Sequence, residues 1–454
     1  MYASVDPSTG ELLEAFDTHS PEEVEAALST SQAMWREDWR QRSFVERAAL
    51  FEALAQLLEA QSSELGELMA LEMGKPVAQG VAEARKCAWV CRFYAEQAES
   101  FLQPVPHTSD GSEAYVRYDS IGPVLAIMPW NFPFWQVLRF AAPTMMAGNT
   151  AILKHAPNTP RCAERIASLF AEAGFPEGSF FNLRLTNEQA AEVIADNRIA
   201  GVTLTGSTLA GRIVSAEGGR ALKPMVMELG GSDPFIVFED ADLSRALAIG
   251  VASRTLNNGQ SCIAAKRFLL HESIVEPFVE GLHYEIESMC VGAPTHMDTQ
   301  IGPLARKDLR DELAAQVQRA LDAGATAICG ASVPQRNGFF YNPTLLVDVD
   351  DENPAIKEEL FGPVVVVQTF ADEAEAVRKA NATEYGLGAS LWTEDRKRIQ
   401  RLLPQLEAGN VFVNGMVKSD PRLPFGGSKA SGFGRELGRE GILAFVNAKT
   451  VWIA

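Results

Sequence analysis

The chain lacks any cysteine grouping that reads as a metal or redox motif. Cys87, Cys91, Cys162, Cys262, Cys290 and Cys329 are scattered, none forms C-x-x-C, and no Cys/His group has zinc-ligand spacing. No metal is expected, and free thiols in a reducing compartment suit all of them. No apolar run approaches the length of a bilayer span, and the start, Met1-Tyr2-Ala3-Ser4-Val5-Asp6, has neither a basic n-region nor an apolar h-region. The expectation is a cytoplasmic protein with no membrane partner. Positive charge is in deficit: 40 Lys and Arg against 59 Asp and Glu leave a net charge of -19, which argues against nucleic acid or an anionic membrane as partner. Internal repeats, low-complexity tracts and flexible linkers are missing, and so is G-x-G-x-x-G in its usual place.

What is present is ordinary in bulk and unusual in one place. With 454 residues, 46% apolar and 22% charged, the chain has room for two or three domains with real cores. The unusual place is Asn257-Asn258-Gly259-Gln260-Ser261-Cys262, a thiol behind a glycine in a polar run that reads as a loop. Free cysteines usually behave as small apolar core groups, and Cys87 and Cys91, four apart beside Trp89, Phe93 and Tyr94, fit that pattern. Cys262 does not, and the working reading makes it a nucleophile that needs a thiolate to react.

Along the chain, Ser20-Pro21-Glu22-Glu23 and Ser43 with Glu46 are capping boxes that start helices. The second is expected to open one long helix ending near Gly74-Lys75-Pro76, with residues 77–101 helical after it. These helices are read as packing structure without chemistry. Short apolar strands at 124–128, 150–154, 180–183 and 201–204 then alternate with helical stretches at 135–147, 159–173 and 187–195. A second alternating region contains strands at 235–238 and 363–367, and helical patterns at 242–256, 275–289 and 306–323. Such alternation predicts an α/β fold with a doubly wound parallel sheet, whose ligands bind at the carboxyl ends of its strands. The tail, Lys449 to Ile453, reads as a strand that needs a partner, in this chain or another subunit.

Several loops sit where such a sheet would use them. Thr205-Gly206-Ser207 follows a strand and precedes a helix, which suits a phosphate or merely makes a βα turn. Glu228 in Met227-Glu228-Leu229-Gly230-Gly231 is a general base if its pKa is raised, or a charge at a strand end. Asn131, between Pro129 and Pro133, is a rigidly aimed amide for an oxyanion, or an asparagine satisfying its own turn. Glu359-Leu360-Phe361-Gly362-Pro363 and Pro424-Phe425-Gly426-Gly427-Ser428-Lys429 are turn signals taken singly.

Taken together, Pro129-Trp130-Asn131, Thr205-Gly206-Ser207, Glu228-Leu229-Gly230-Gly231, Gly259-Gln260-Ser261-Cys262, Glu359-Leu360-Phe361-Gly362-Pro363 and Pro424-Phe425-Gly426-Gly427 resemble the aldehyde dehydrogenase superfamily, in its order and over nearly the whole chain. The resemblance implies a dinucleotide-binding domain (1–101 and 121–227), a catalytic α/β domain (228–430), and a β-arm for oligomerisation with the C-terminal segment (102–120 and 431–454), in a homodimer or homotetramer. It implies that Cys262 attacks an aldehyde, that Asn131 and the Cys262 N–H hold the oxyanion, and that Glu228 activates water. Lys154 and Ser207 would hold the adenosine ribose and phosphates and Glu359 the nicotinamide ribose, while Phe361 packs on the nicotinamide; Trp130, Pro157, Gly206 and Leu229 complete that site.

Within the superfamily the chain is most similar to succinate-semialdehyde dehydrogenases. Arg139 matches the arginine that pairs with the distal carboxylate of the substrate, against the plain alternative of a helix-surface arginine, and Trp135, Ser261 and Ser419 complete the substrate set. NAD-preferring relatives have a glutamate at the place of Pro157; its absence predicts that NADP is accepted and preferred over NAD, with Lys154 and possible help from His155 at the phosphate. Two departures stand out: a second cysteine found in some relatives is Ala264 here, and the late start suggests no strand pair before the first helices. A non-redox thiol acyltransferase or hydrolase would need a histidine partner, and no histidine lies in a matching motif. An oxidoreductase acting on another aliphatic or aromatic aldehyde is the nearer alternative.

Overall fold

In the computed structural model, which describes residues 2–454, the chain opens with an antiparallel hairpin of β1 (Tyr2–Val5) and β2 (Leu12–Phe16). This overturns the expectation of no strand pair before the helices. The turn between them closes on Gly10, whose backbone is left-handed at φ 83° and whose N–H donates to Asp6 O at 2.7 Å. Met1, the first residue of the expected cofactor domain, lies outside the described residues.

α1 (Pro21–Glu37) and α2 (Phe44–Ala60) both begin with complete capping boxes, Ser20 with Glu23 and Ser43 with Glu46. Each cap is worth about 1 kcal/mol. The single long helix expected after Ser43 is in fact two. The chain bends at Gln61, before the weak helix formers Ser62 and Ser63, and continues as α3 (Ser62–Met73). The bend keeps Leu54 and Leu58 of α2, and Leu65 and Met69 of α3, in one buried cluster with Ala84, Cys87 and Cys91 of α4 (Val77–Phe101). α3 stops at Gly74, left-handed at φ 79°. Two short strands follow, β3 (Val105–Pro106) and β4 (Glu113–Ser120).

The first large sheet is built from β5 (Val124–Met128), β6 (Ala151–His155), β7 (Phe180–Asn182), β8 (Gly201–Thr205) and β9 (Met225–Glu228). Between them run α5 (Trp135–Met146), α6 (Pro160–Glu172), α7 (Asn187–Ala195) and α8 (Thr208–Arg220). All these strands pair in parallel, in spatial order β9-β8-β5-β6-β7. Alternate residues feed two cores. Val124, Ala126 and Met128 face the cluster containing the long N-terminal helices, whereas Leu125 packs with Ile152, Val202 and Leu204 against Leu28 and Val193. Burial on both faces explains the unbroken apolar strands. The chain builds outward from β5 to β7 and then returns to the other side of β5. That reversal opens a crevice at the carboxyl ends of β5 and β8.

A second, seven-stranded sheet carries β10 (Asp233–Val237), β11 (Ala265–His271), β12 (Thr326–Cys329), β13 (Thr344–Val347), β14 (Val364–Phe370), β16 (Gly388–Trp392) and β17 (Asn410–Val413), in order β12-β13-β14-β11-β10-β16-β17. Only β12 runs antiparallel. The helices α9 (Leu243–Thr255), α10 (Val275–Glu287) and α11 (Lys307–Asp322) are among those that cover this α/β unit. The short β15 (Tyr385–Gly386) pairs with β18 (Ser428–Lys429), and β19 (Gly432–Phe433) then pairs with β9 of the first sheet. Residues 424–433 therefore tie one sheet to the other. The last strand, β20 (Val446–Ile453), pairs along its whole length with β4 of its own chain. No helix among the described residues is long and apolar enough to cross a membrane.

Candidate active site

The stretch before Cys262 is polar but not solvated. Asn257, Asn258 and Gly259 are all left-handed, at φ 57°, 58° and 75°, and all are fully buried. Asparagine tolerates that conformation, and such backbone strain persists only where the surroundings impose it. Here the surroundings are backbone groups. Asn257 Nδ2 donates to Asn131 O at 2.6 Å, Asn258 Nδ2 to Gly74 O and Pro303 O at 2.8 and 2.9 Å, and Gln260 Oε1 accepts from Ala305 N at 3.0 Å. A Cβ on Gly259 would collide with the backbone of Gly362. Arg254 fastens the same region from below, donating to Val364 O, Leu360 O and Gly362 O.

The loop presents Cys262 half-buried and as a thiol. Burial pushes its pKa up to about 12, with Lys266 and Arg139 pulling the other way and Glu359 and Glu228 adding to the rise. The thiolate expected for a nucleophile is thus not the resting form. Lys266, buried, donates to the carbonyls of Ser261 and Cys262 at 2.8 Å each.

Asn131 and Glu228 close on the same loop. Asn131 Nδ2 donates one hydrogen to Gln260 O at 3.0 Å, and its Oδ1 is buried without a partner. Glu228 ends β9 with its two carboxylate oxygens buried and unpartnered. Burial, reinforced by Glu436, raises its pKa well above the ordinary carboxyl range, against the pull of Arg139 and Arg435. Gly426 lies against it, since a Cβ there would stand 2.8 Å from Glu228 Oε1. The Pro424–Lys429 turn signal is therefore the cover over this carboxyl.

A cavity of about 160 Å³ opens beside Cys262. It is lined by Ser261, Trp135, Arg139 and Ser419, and also by Gln79, Glu83 and Lys86 of α4. The Ser261 hydroxyl is buried without a partner. Arg139 is no surface arginine: it is buried, ion-paired with Glu436, and its Nη2 donates to Thr205 Oγ1 at 3.3 Å. Ser419 Oγ accepts from Trp135 Nε1 at 3.0 Å and from Lys86 Nζ at 2.9 Å.

The dinucleotide candidates gather on the other side of the Cys262 loop and at the strand ends. Trp130 meets Phe361 edge to face, centroids 5.8 Å apart. Glu359 Oε1 accepts from Gly231 N at 3.1 Å and lies 3.3 Å from Lys266 Nζ; a Cβ on Gly230 would come within 2.5 Å of Glu359 Oε2. Gly206 is held to Glu228 O through its N–H at 3.0 Å, Ser207 caps the exposed start of α8, and Leu229 packs where Gly211 leaves α8 room. Lys154, at the end of β6, donates to no acceptor among the described residues, and burial lowers its pKa. An unsatisfied ammonium and a helix start behind Gly206 suit an anionic dinucleotide.

One expectation at this end is corrected. His155 cannot help with a phosphate: its ring is buried, Nε2 donates to Pro133 O at 3.0 Å, Nδ1 receives Ala156 N at 2.8 Å, and burial lowers its pKa to about 4. Pro157 sits exposed in the turn before α6, and its carbonyl accepts from Ala3 N at 2.9 Å.

A sequence model of the aldehyde dehydrogenase family matches residues 1–451. The chain belongs to the aldehyde dehydrogenase family. It is therefore an oxidoreductase acting on a small aldehyde. It is 49% identical to a probable succinate-semialdehyde dehydrogenase, NADP(+), of Synechocystis over 100% of this chain and 99% of that one. It is 47% identical to succinate-semialdehyde dehydrogenase, NADP(+), 1 of Mycobacterium tuberculosis, again over 100% and 99%. Among solved structures, the succinic semialdehyde dehydrogenase of Streptococcus pyogenes in complex with NADP+ superposes with a TM-score of 0.97 at 34% identity, covering 100% of both chains.

Within this aldehyde dehydrogenase, α4 overturns the reading of the N-terminal helices as packing alone. Gln79, Glu83 and Lys86 recur at helical spacing on one face, a polar stripe inside a helix otherwise rich in small and apolar residues, and that pattern was the available signal. Lys266, Arg254 and Glu436 had none. Each is an ordinary charge in sequence and becomes notable only because the fold buries it.

Proposed function

We propose that this aldehyde dehydrogenase oxidises succinate semialdehyde to succinate with NADP as the preferred cofactor. The observation that carries the reading is one small cavity lined by the Cys262 thiol, a serine hydroxyl and the cationic side chains Lys86 and Arg139. A volume of about 160 Å³ suits a small aliphatic aldehyde, and the cations suit a carboxylate on its far carbon. The names of the relatives from Synechocystis and Mycobacterium tuberculosis point the same way.

In this reading Cys262 Sγ bonds to the aldehyde carbon. Because burial holds the thiol near 12, its proton must pass to a base as the bond forms, and Glu228, whose two buried carboxylate oxygens have no partner, takes it. The remaining Asn131 amide hydrogen and the Cys262 N–H donate to the oxyanion of the thiohemiacetal; losing one such donor would cost about 10²–10³ in rate. Bound dinucleotide supplies the hydride acceptor. Glu228 then loses the thiol's proton to solvent, takes one from the water that cleaves the thioester on Cys262, and returns it to the departing sulfur, freeing the acid and restoring the thiol. Ser207, Gly206 and Lys154 would hold the adenosine end of the dinucleotide, and Glu359, Phe361 and Trp130 the nicotinamide end, beside Leu229.

The preference for NADP rests on Pro157, in the turn that follows Lys154 and the end of β6. A proline cannot accept the ribose hydroxyls of NAD, nor repel a 2′-phosphate, and the unpaired ammonium is free to meet one. Steady-state kcat/KM for the two cofactors at saturating succinate semialdehyde tests this. NADP should lead, and Pro157→Glu should shift the ratio toward NAD; a clear NAD preference in the wild type would refute it.

The same reading assigns residues 1–101 and 121–227 to the cofactor, 228–430 to the nucleophile, and 102–120 with 431–454 to subunit contact in a homodimer or homotetramer. Half-exposed Trp452 and Ile453 on the edge strand β20 support the last assignment.

A further inference from the structure

We propose that Lys266 is a positioning residue of the nucleophile: it holds the Ser261–Cys262 peptide from behind, so that the Cys262 N–H is aimed at the oxyanion, and it ties Glu359 to the same point. This rests on the reading of Cys262 as the nucleophile and of its N–H as an oxyanion donor, and it names the side chain that sets that donor.

The peptide carries the argument. From the start of β11, the strand that follows the loop, Lys266 Nζ donates to Ser261 O and to Cys262 O at 2.8 Å each. In a planar trans peptide the C=O and the N–H point in opposite directions. The carbonyl of Ser261 and the N–H of Cys262 belong to one such peptide. An ammonium fixed on that carbonyl therefore fixes the direction of the N–H and polarises it toward a developing negative charge. Lys266 does not itself line the substrate cavity. It acts through the peptide and not on the substrate.

Glu359 completes the grip. Its Oε1 lies 3.3 Å from Lys266 Nζ and accepts from Gly231 N at 3.1 Å, while no described residue donates to its Oε2. Two carbonyls and one carboxylate oxygen thus face an ammonium that has three hydrogens. Glu359 has no second cation within ion-pair distance among the described residues. Arg254 and Arg267, the other buried cations here, are spent on backbone carbonyls. Lys266 Nζ also lies 5.9 Å from the ring centre of Phe361, so one ammonium stands between the thiol loop and the residues read as the nicotinamide site.

Its charge matters as well as its bonds. Burial lowers the pKa of Lys266, and Glu359 and Asp233 oppose that fall. Burial in turn pushes the Cys262 thiol up to about 12, and the largest pull against it is that of Lys266. Removing the ammonium would remove both the aim of the N–H and the charge that favours the thiolate.

The test uses the full-length chain with three substitutions. Lys266→Met keeps the volume, Lys266→Arg keeps a cation with donors, and Asp233→Asn changes a buried charge that reaches the same ammonium without being bonded to it. In Lys266→Met, kcat should fall about ten- to a hundredfold, alike for succinate semialdehyde and for butanal, the uncharged aldehyde of equal length, with KM for either little changed. Alkylation of Cys262 by iodoacetamide in the cofactor-free protein should slow about tenfold at a given pH. Lys266→Arg should recover most of both losses, and Asp233→Asn should show neither. Lys266→Gln, which keeps two donors without the charge, repeats the alkylation test if Lys266→Met does not fold, with the same slowing expected. Retained turnover in Cys262→Ala would overturn the mechanistic reading itself. An inactive Cys262→Ala beside unchanged kcat and alkylation in the Lys266 variants, or equal losses in Asp233→Asn, would leave that reading standing and overturn the role of Lys266.

Discussion

Burial raises the pKa of both Cys262 and Glu228, and the charge of Glu228 adds to the rise at the thiol. The thiol is held up near 12, and the carboxyl well above its usual range with Glu436 adding to the rise. Without substrate, alkylation of Cys262 should therefore rise about tenfold per pH unit up to roughly pH 10 without a plateau. A plateau near pH 8, measured with iodoacetamide on the cofactor-free protein, would mean a thiolate exists at rest. Glu228→Gln removes the base for both steps, but the thiol can still lose its proton to solvent while water is the far weaker acid, so deacylation should fall further than acylation. A burst of about one equivalent of reduced cofactor should then precede a slow steady state. Should the burst vanish while the steady state survives, Glu228 acts elsewhere. Both residues could be picked out from sequence because their flanks are peculiar: glycines and polar residues around a thiol, and two glycines after an acid. Their protonation could not, because it depends on burial and on Glu436, Arg139 and Lys266, which are distant in the chain.

Helices and strands show the same division between local and non-local information. The starts of α1 and α2 were readable because a capping box is chemistry within four residues. The break at Gln61 and the hairpin before α1 were not, since the first serves packing on α4 and the second a tight glycine turn. α4 is the element whose importance is least visible in its sequence. Its Glu83 is buried against Lys75 and accepts the first N–H groups of α5, the helix that presents Trp135 and Arg139. Breaking such a pair strands a buried charge, at about 3–5 kcal/mol. Glu83→Gln should lower the denaturant midpoint accordingly and raise KM for the aldehyde more than KM for the dinucleotide, because α5 carries the substrate wall. A loss of stability with both KM values untouched would make the pair structural only.

Across the whole molecule, the two α/β sheets are joined by residues 424–433, which pair as β18 with β15, just before β16 of the second sheet, and reach the first sheet as β19 beside Glu228. The alternation of apolar strands and helices was enough to expect parallel sheets, because strands buried on both faces have no polar alternation to hide them. The crossing segment was legible only as a glycine-rich turn, since its purpose lies in what it covers. The arm of β4 and β20 is expected to hold subunits together through its free edge. Trp452→Asp with Ile453→Asp should reduce the mass seen by light scattering toward the 49.3 kDa of one chain, and an unchanged mass would put the interface elsewhere. The claim on which the rest depends is that this cavity selects an aldehyde with a distal carboxylate and oxidises it with NADP. Its most direct test is the initial rate of reduced-cofactor formation with succinate semialdehyde or butanal, each with NADP or NAD, and without coenzyme A. The account predicts the highest kcat/KM for succinate semialdehyde with NADP, about ten- to a hundredfold above butanal; equal values for the two aldehydes, or no reaction until coenzyme A is added, would contradict it.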